Sequence, residues 1–406
     1  MPAGALVQGV QASSLIHNRV LAVLLVTGLG AALGLAFLTL APNRLVSGTG
    51  LGLRDLPLSP QGWLALPLAG LVLALFVPPS RVTYSAVLVS ATLLLTGLVG
   101  LAGAEAARLS VAASPLTRVS LGGGFWVLAL LSWLVAADAL QRLALTLVRR
   151  TLAHAAVLLP LGVLLGTGAL DSLSLLKEYA NRDEVFRDAG LRHLQIVAAT
   201  LLPALLIGVP LGVAAARSER LATPLFAALN VIQTVPSIAL FALLIAPLSG
   251  LAAALPGLRI SGIGLLPAVI ALTLYALLPI VHGTAAGLHQ VPVAAIEAAT
   301  GMGMTTRQRF WHVEVPLALP VLMSALRVTA VQIIGLGVVA ALIGAGGFGA
   351  LVFQGLASSA IDLVMLGVLP VLALAIVVDA GLALVMATHG ATHGAAHGAA
   401  HGGPPQ

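Results

Sequence analysis

The sequence predicts an all-α, polytopic integral membrane protein, and three observations carry that prediction. Of its 406 residues 59% are hydrophobic and only 8% are charged, where soluble domains carry about a quarter charged residues. The mean hydropathy is +1.09. The apolar residues fall into about ten transmembrane runs near the roughly 20-residue length that a helix needs to cross a bilayer, and most charges gather in short segments between them.

In chain order the expected spans are 20–41, 63–79, 82–104, 121–138, 152–170, 193–215, 224–247, 263–282, 317–342 and 363–386. The first is longer than the apolar region of a signal peptide and no convincing cleavage site follows it, so it reads as a retained anchor. Between the fifth and sixth spans lies DSLSLLKEYANRDEVFRDAG, the most charged stretch of the chain. The spacing of Leu175, Leu176, Tyr179, Val185 and Phe186 in it predicts an amphipathic helix. The expected organisation is an amino-terminal membrane region at 1–170, a charged junction at 171–192 and a carboxy-terminal membrane region at 193–386. Residues 387–406 form a His/Gly/Ala tail in which His389, His393, His397 and His401 recur every four residues. Its glycines predict disorder, and such a tract can bind metal weakly.

Cysteine is absent, which excludes disulfides and thiolate metal sites. Lysine plus arginine number 19 against 13 acidic residues, with Lys177 the only lysine, and no run is basic enough for nucleic-acid binding. The basic residues of the loops divide evenly between the two sides, so the positive-inside rule assigns no orientation.

One polar island stands out. EAATGMGMTTRQRFWHVEVP, residues 297–316, lies between two long apolar runs. Pro292 suits the first turn of a helix, which Gly301 and Gly303 should end. Thr305 and Gln308 then fit a capping box that restarts the chain as a second short helix, finishing near Pro316. An ordinary surface loop and a docking hairpin with an aromatic and cationic face, from Arg307, Arg309, Phe310, Trp311 and His312, both fit this pattern.

Glu297-Ala298-Ala299, Gly303 and Val313-Glu314-Val315-Pro316 resemble the EAA signature of permease subunits of ABC importers, whose last part usually reads Ile-x-Leu-Pro. Pro236-Ser237-Ile238-Ala239-Leu240, Gly262-Ile263-Gly264, the run from Leu266 to Val281 and IGAGGFG from Ile343 to Gly349 are similar to the osmoprotectant group of these permeases, importers of glycine betaine, choline, carnitine and related quaternary amines. The resemblance covers about residues 175–386 and departs at His282-Gly283-Thr284, where relatives commonly carry arginine or a similar residue and then Asn-Thr. It implies a five-to-six-helix type I importer permease core, preceded by extra spans as in an enlarged subgroup. It also implies that 290–316 is a cytoplasmic coupling loop, with Glu297, Ala298, Ala299, Gly303, Arg307 and Pro316 serving the contact with an ATPase. The implied partners are cytoplasmic ABC ATPase subunits, a second permease copy or paralogue, an extracytoplasmic substrate-binding protein and membrane lipid, in a bacterial cytoplasmic (inner) membrane.

The residues themselves bear on that expectation. A phosphate loop needs Gly-x-x-x-x-Gly-Lys-Ser/Thr, and Lys177 follows SLSLL, so ATP and Mg are expected on the partner ATPase and no cofactor on this chain. GAGGFG formally fits a dinucleotide fingerprint but follows a membrane run and not a strand. In the family it resembles, this segment lies on the outer side of the pathway, making Gly346, Gly347 and Phe348 candidate gate elements. Pro236, Ser237 and Tyr275 are further candidates for the translocation path, because a quaternary ammonium is held by aromatic faces and weak polar contacts; helix packing is the other reading of Tyr275, Phe241, Phe348 and Phe353. Arg327 and Asp379 fall at similar depth inside two spans, where pairing would offset an insertion cost of about 2.5–3.5 kcal/mol per charge. Snorkelling of Arg327 is the alternative. An ion-coupled secondary transporter with two inverted five-span halves remains as a rival architecture. A metal enzyme is not supported, since His282 and His289 share a helix face but bring no third ligand.

Overall fold

The structure, a computed structural model, describes residues 16–43, 46, 48–57, 62–111, 114, 116–258 and 260–400, with the backbone alone at 258 and 388–400. Arg44, Arg259 and the side chains of the tail histidines lie outside the described residues. The chain divides into two compact units, Met1–Lys177 and Glu178–Gln406.

In the first unit, α1 (Arg19–Gly34) is capped by Asn18, whose Oδ1 accepts the Leu21 N–H at 3.0 Å. The first expected span, 20–41, is therefore not one helix. After Gly34 the chain turns into β1 (Leu38–Ala41), the centre of an antiparallel sheet with β2 (Thr49–Leu51) and β3 (Arg118–Leu121). Leu38 stands opposite both Leu51 and Leu121. Side-chain burial explains the switch. Phe37 and Leu38 are fully buried with Val119 and Phe125, and the Phe37 and Phe125 rings meet edge-on at 5.7 Å. The ladder supplies the backbone bonds that the helix gives up.

A 3-10 turn at Gly62–Leu64 leads into α2 (Ala65–Ala74), shorter than its expected span. Then come α3 (Arg81–Val111), α4 (Gly123–Arg142), α5 (Leu147–Gly166) and the short α6 (Ser174–Ala180). Leu98, Leu101 and Ala102 of α3 pack with the sheet's residues, while Val87, Ala91 and Leu95 pack with Leu71, Val135 and Ala136. Near the boundary, Lys177 Nζ donates to the Thr117 carbonyl at 3.5 Å. Burial, then the nearby Arg118 guanidinium, hold its pKa below the usual lysine value.

The second unit opens with α7 (Asp183–Arg217), so the end of the expected junction is the first turns of a long apolar helix. Next are α8 (Glu219–Thr234), α9 (Ser237–Ala254), α10 (Leu265–His289), α11 (Val293–Gly301) and α12 (Thr306–Arg309). A π-helical turn, Phe310–Glu314, runs into α13 (Val315–Val339), followed by a 3-10 turn, α14 (Phe348–Ala357) and α15 (Ile361–Ala400). The backbone of α15 stays helical into the tail as far as Ala400, in place of the disorder expected from its glycines. The alanines between them are strong helix formers.

Among the described residues eight helices are long and apolar enough to cross a membrane, while α1 and Gly62–Ala74 are apolar but shorter. The ten expected runs thus become eight spanning helices and two short ones. The run 224–247 changes most: it breaks at Val235 and Pro236, and the spanning helix is Ser237–Ala254.

At the centre of this unit, α10 packs between α7 and α13. Glycines four apart permit the approach: a Cβ at Gly208 would sit 2.8 Å from Ile280 Cγ2, and one at Gly212 would sit 2.8 Å from the Val281 carbonyl oxygen. On the other face of α10, Gly283 lies against Ala325, and a Cβ at Gly287 would sit 2.8 Å from the Ala318 carbonyl oxygen. Small residues at such spacing let membrane helices touch backbone to backbone. A side chain at Gly283 would collide with the Ala325 Cβ.

Gly283→Leu should therefore lower stability in detergent by about 1–3 kcal/mol through overpacking. Gly335→Ala, where nothing lies within 4 Å, should leave stability unchanged or raise it by up to about 1 kcal/mol. Thermal unfolding of the two purified variants checks the contrast.

Candidate functional site: a polar hairpin on a packed helical core

The hairpin forms as the residue types dictate. α11 ends at Gly301, and Gly303 takes φ +78°. Thr305 then caps α12: its Oγ1 accepts the Gln308 N–H at 3.3 Å, and Gln308 Oε1 accepts the Thr305 N–H at 2.9 Å. Glu297, Ala298, Gly303 and Arg307 are exposed, whereas Ala299 is buried and Pro316 half-buried. The two short helices and the turn between them thus leave Glu297, Ala298, Gly303 and Arg307 accessible.

The second helix does not finish near Pro316. It passes through the π turn into α13, making one apolar helix from Thr306 to Ile343. The Val315 N–H donates to the Phe310 carbonyl, five residues back. Such wide turns accommodate an irregular residue without breaking a helix, and Pro316 has no N–H to satisfy.

The turn also carries Glu314, which the sequence did not single out. Its carboxylate is buried, with Oε2 accepting from Arg217 Nη2 and Oε1 from Arg309 Nε at 3.0 Å. Arg309 Nη1 reaches Thr300 Oγ1 of α11 at 3.4 Å, and the Arg217 guanidinium lies over the Phe310 ring at 5.8 Å. The available signal was an acid beside a spanning run, but its two cations lie 97 and 5 residues away. Only the folded chain brings all three together.

Deeper in the unit, Pro236 and Ser237 mark the α8–α9 break. Tyr275 bridges it: its hydroxyl donates to the Val235 carbonyl, and Gln233 Nε2 donates to the Tyr275 carbonyl at 2.7 Å. Non-helical backbone inside a membrane needs such partners. Tyr275, Phe241 and Phe348 are all buried, and the Phe348 ring packs on Phe186 at 5.3 Å and His193 at 5.5 Å. Their rings take part in helix packing in this conformation.

The glycine loop after α13 adopts left-handed geometry at Gly344, Gly346 and Gly347. Its start joins the Gly262-Ile263-Gly264 motif, since the Gly264 N–H donates to the Ile343 carbonyl at 2.7 Å. α7 holds the loop from the side. Arg192 Nε donates to the Ala345 carbonyl at 2.9 Å, and His193 Nε2 lies 3.1 Å from the Ile334 carbonyl oxygen. The loop follows a helix and not a strand, which is not the setting of a dinucleotide fingerprint.

Arg327 and Asp379 come together across α13 and α15, with Nε on Oδ1 and Nη2 on Oδ2 in a two-pronged pair. Such forks are stronger than single contacts and fix geometry. Arg327→Leu or Asp379→Leu alone should reduce the amount of inserted protein and its transport, whereas Arg327→Asp with Asp379→Arg should recover both. Failure of the swapped pair to recover either would show that the contact is incidental.

Residues 208–388 match the family described as the binding-protein-dependent transport system inner membrane component. Residues 18–176 match the ABC transporter permease YehY, N-terminal domain. The osmoprotectant import permease protein OsmW of Salmonella typhimurium is 46% identical over 188 residues, 46% of this chain and 84% of that protein. The carnitine transport permease protein OpuCB of Listeria monocytogenes is 38% identical over 191 residues, 47% of this chain and 82% of that one. The choline transport system permease protein OpuBB of Bacillus subtilis is 36% identical, with the same coverage. A chain of the inward-facing MetNI methionine ABC transporter aligns at 22% identity and a TM-score of 0.44, covering 49% of this chain and 93% of that one.

Eight apolar helices and an exposed polar hairpin define a multi-pass inner-membrane transport permease. The chain belongs to the family of binding-protein-dependent transport system inner membrane components, with a YehY-type amino-terminal domain before the shared core. The family is one of permeases and not of enzymes, and its transport systems work with ATPase and substrate-binding partners.

Proposed function

We propose that this chain is the membrane-spanning subunit of an ATP-driven importer and forms the path for a small quaternary-amine osmoprotectant such as glycine betaine or choline. Relatives named for osmoprotectant, carnitine and choline transport support the substrate class. The observation that carries the mechanism is the hairpin of α11 and α12, which exposes Glu297, Ala298 and Arg307 around Gly303. A pair of cytoplasmic ABC ATPase subunits docks there and binds the ATP and Mg. A second permease, identical or paralogous, completes the path, and an extracytoplasmic binding protein delivers substrate and sets most of the selectivity.

ATP binding and hydrolysis bias the core between inward-open and outward-open states through this hairpin. The path itself needs only weak contacts with the cation. The Pro236 break and the glycine loop are the irregular backbone segments that such a path uses. A carrier of two inverted five-span halves would repeat its elements. Met1–Lys177 instead contains a three-stranded sheet and, among the described residues, no counterpart of the hairpin.

Gly303→Pro forces φ from +78° toward about −65°, and Glu297→Lys reverses an exposed charge on the docking surface. Each should leave the protein inserted and the ATPase active while abolishing ATP-dependent uptake. Uptake and hydrolysis measured together in reconstituted vesicles test this, and normal uptake with either change would refute the docking role.

A further inference from the structure

Beyond the hairpin's exposed face, the unit contains a second constellation that permease function by itself does not call for. The hairpin has two compliant points: Gly303, between its two helices, and the wide π turn that leads from it into the core. A force applied to the exposed face would be absorbed at those two places unless something bypassed them. Glu314 does. It is buried, both its carboxylate oxygens are engaged, and its partners belong to different bodies. Arg309 lies on the hairpin and touches Thr300 of α11, and Arg217 is the last residue of α7. A buried carboxylate clamped by two guanidinium groups is a stiff joint, because releasing either one leaves a buried carboxylate oxygen without its donor.

α7 leads away from that joint. Arg217 and Arg192 are 25 residues apart on one helix, roughly 38 Å at 1.5 Å per residue, which is enough to cross the hydrocarbon core. At the far end Arg192 holds the Ala345 carbonyl, and His193 meets the Ile334 carbonyl and packs against Gly337 and Gly347. Between the ends, Gly208 and Gly212 seat α7 on α10, so displacement along the helix is guided by that groove.

We propose that Glu314 is the positioning residue that makes the hairpin and α7 one mechanical body, and that α7 carries hairpin movement to the glycine loop at 344–347. The proposal rests on the importer reading above. It assigns Glu314 no contact with the ATPase and no contact with substrate, and it makes the Arg217 pairing as important as the Glu314 carboxylate.

The test uses the full transporter in vesicles, with its ATPase and binding protein. Glu314→Gln keeps the side chain's shape and removes its charge. Uptake should fall about tenfold, while ATPase co-purification and hydrolysis stay within about twofold of the parent. Arg217→Gln, at a partly exposed position, should give the same uncoupling, and the double variant should be no worse than either single one. The chain has no cysteine, so Leu356→Cys on the exposed side of α14 provides a reporter. Its labelling rate by a membrane-impermeant maleimide should change with ATP in the parent and not in the Glu314→Gln or Arg217→Gln background.

Coupled uptake at the parent level in both variants would overturn the proposal. So would a proportional loss of uptake, hydrolysis and assembly, which marks a merely structural role. An ATP response of the Leu356→Cys reporter that persists in both variants would remove α7 as the carrier of the movement. Absence of ATP-driven uptake in the parent would instead refute the importer reading itself.

Discussion

Inside a bilayer there is no water to satisfy a backbone amide or carbonyl, so each departure from a helix has to carry its own partners. That constraint orders the core unit. The α8–α9 break sends the Val235 carbonyl to the Tyr275 hydroxyl. The glycine loop is held by Arg192 at Ala345 and by the Gly264 N–H at Ile343. Pro316 sits just after a π turn and therefore interrupts nothing. At these places the irregular backbone is held by partners of its own.

The same scarcity of partners explains how the helices hold together. Lipid and side chain are equally apolar, so close packing replaces the hydrophobic effect as the main attraction between helices. Gly208 and Gly212 bring α7 onto α10, and Gly283 and Gly287 bring α13 onto its other side. The three form a packed block. Charge then selects where the block is gripped: Glu314 between Arg217 and Arg309 at one end, and the Arg327–Asp379 fork within α13 and α15.

Local patterns made much of this readable in advance. Most apolar runs gave a single helix, the capping box at Thr305 and Gln308 formed as spelled, and Gly303 took a left-handed conformation. What escaped depended on distant partners. Val20 to Ala41 reads as one apolar run, but the pairing of Leu38 with Leu51 and Leu121 turns its end into a strand. A proline at 316 reads as a helix boundary until a π turn absorbs it. Glu314 reads as one polar residue near an interface, and only Arg217, 97 residues earlier, makes it a joint. Tyr275 and Phe348 read as helix packing more readily than as cation contacts, and burial places their rings among neighbouring helices.

If a separate ATPase drives transport through the hairpin, labelled glycine betaine or choline should enter vesicles containing the chain with its ATPase and binding protein when ATP is supplied only on the ATPase side. That uptake should require both ATP and the ATPase, and an ion gradient alone should not drive it. Gradient-driven uptake by the chain without the ATPase would contradict that coupling.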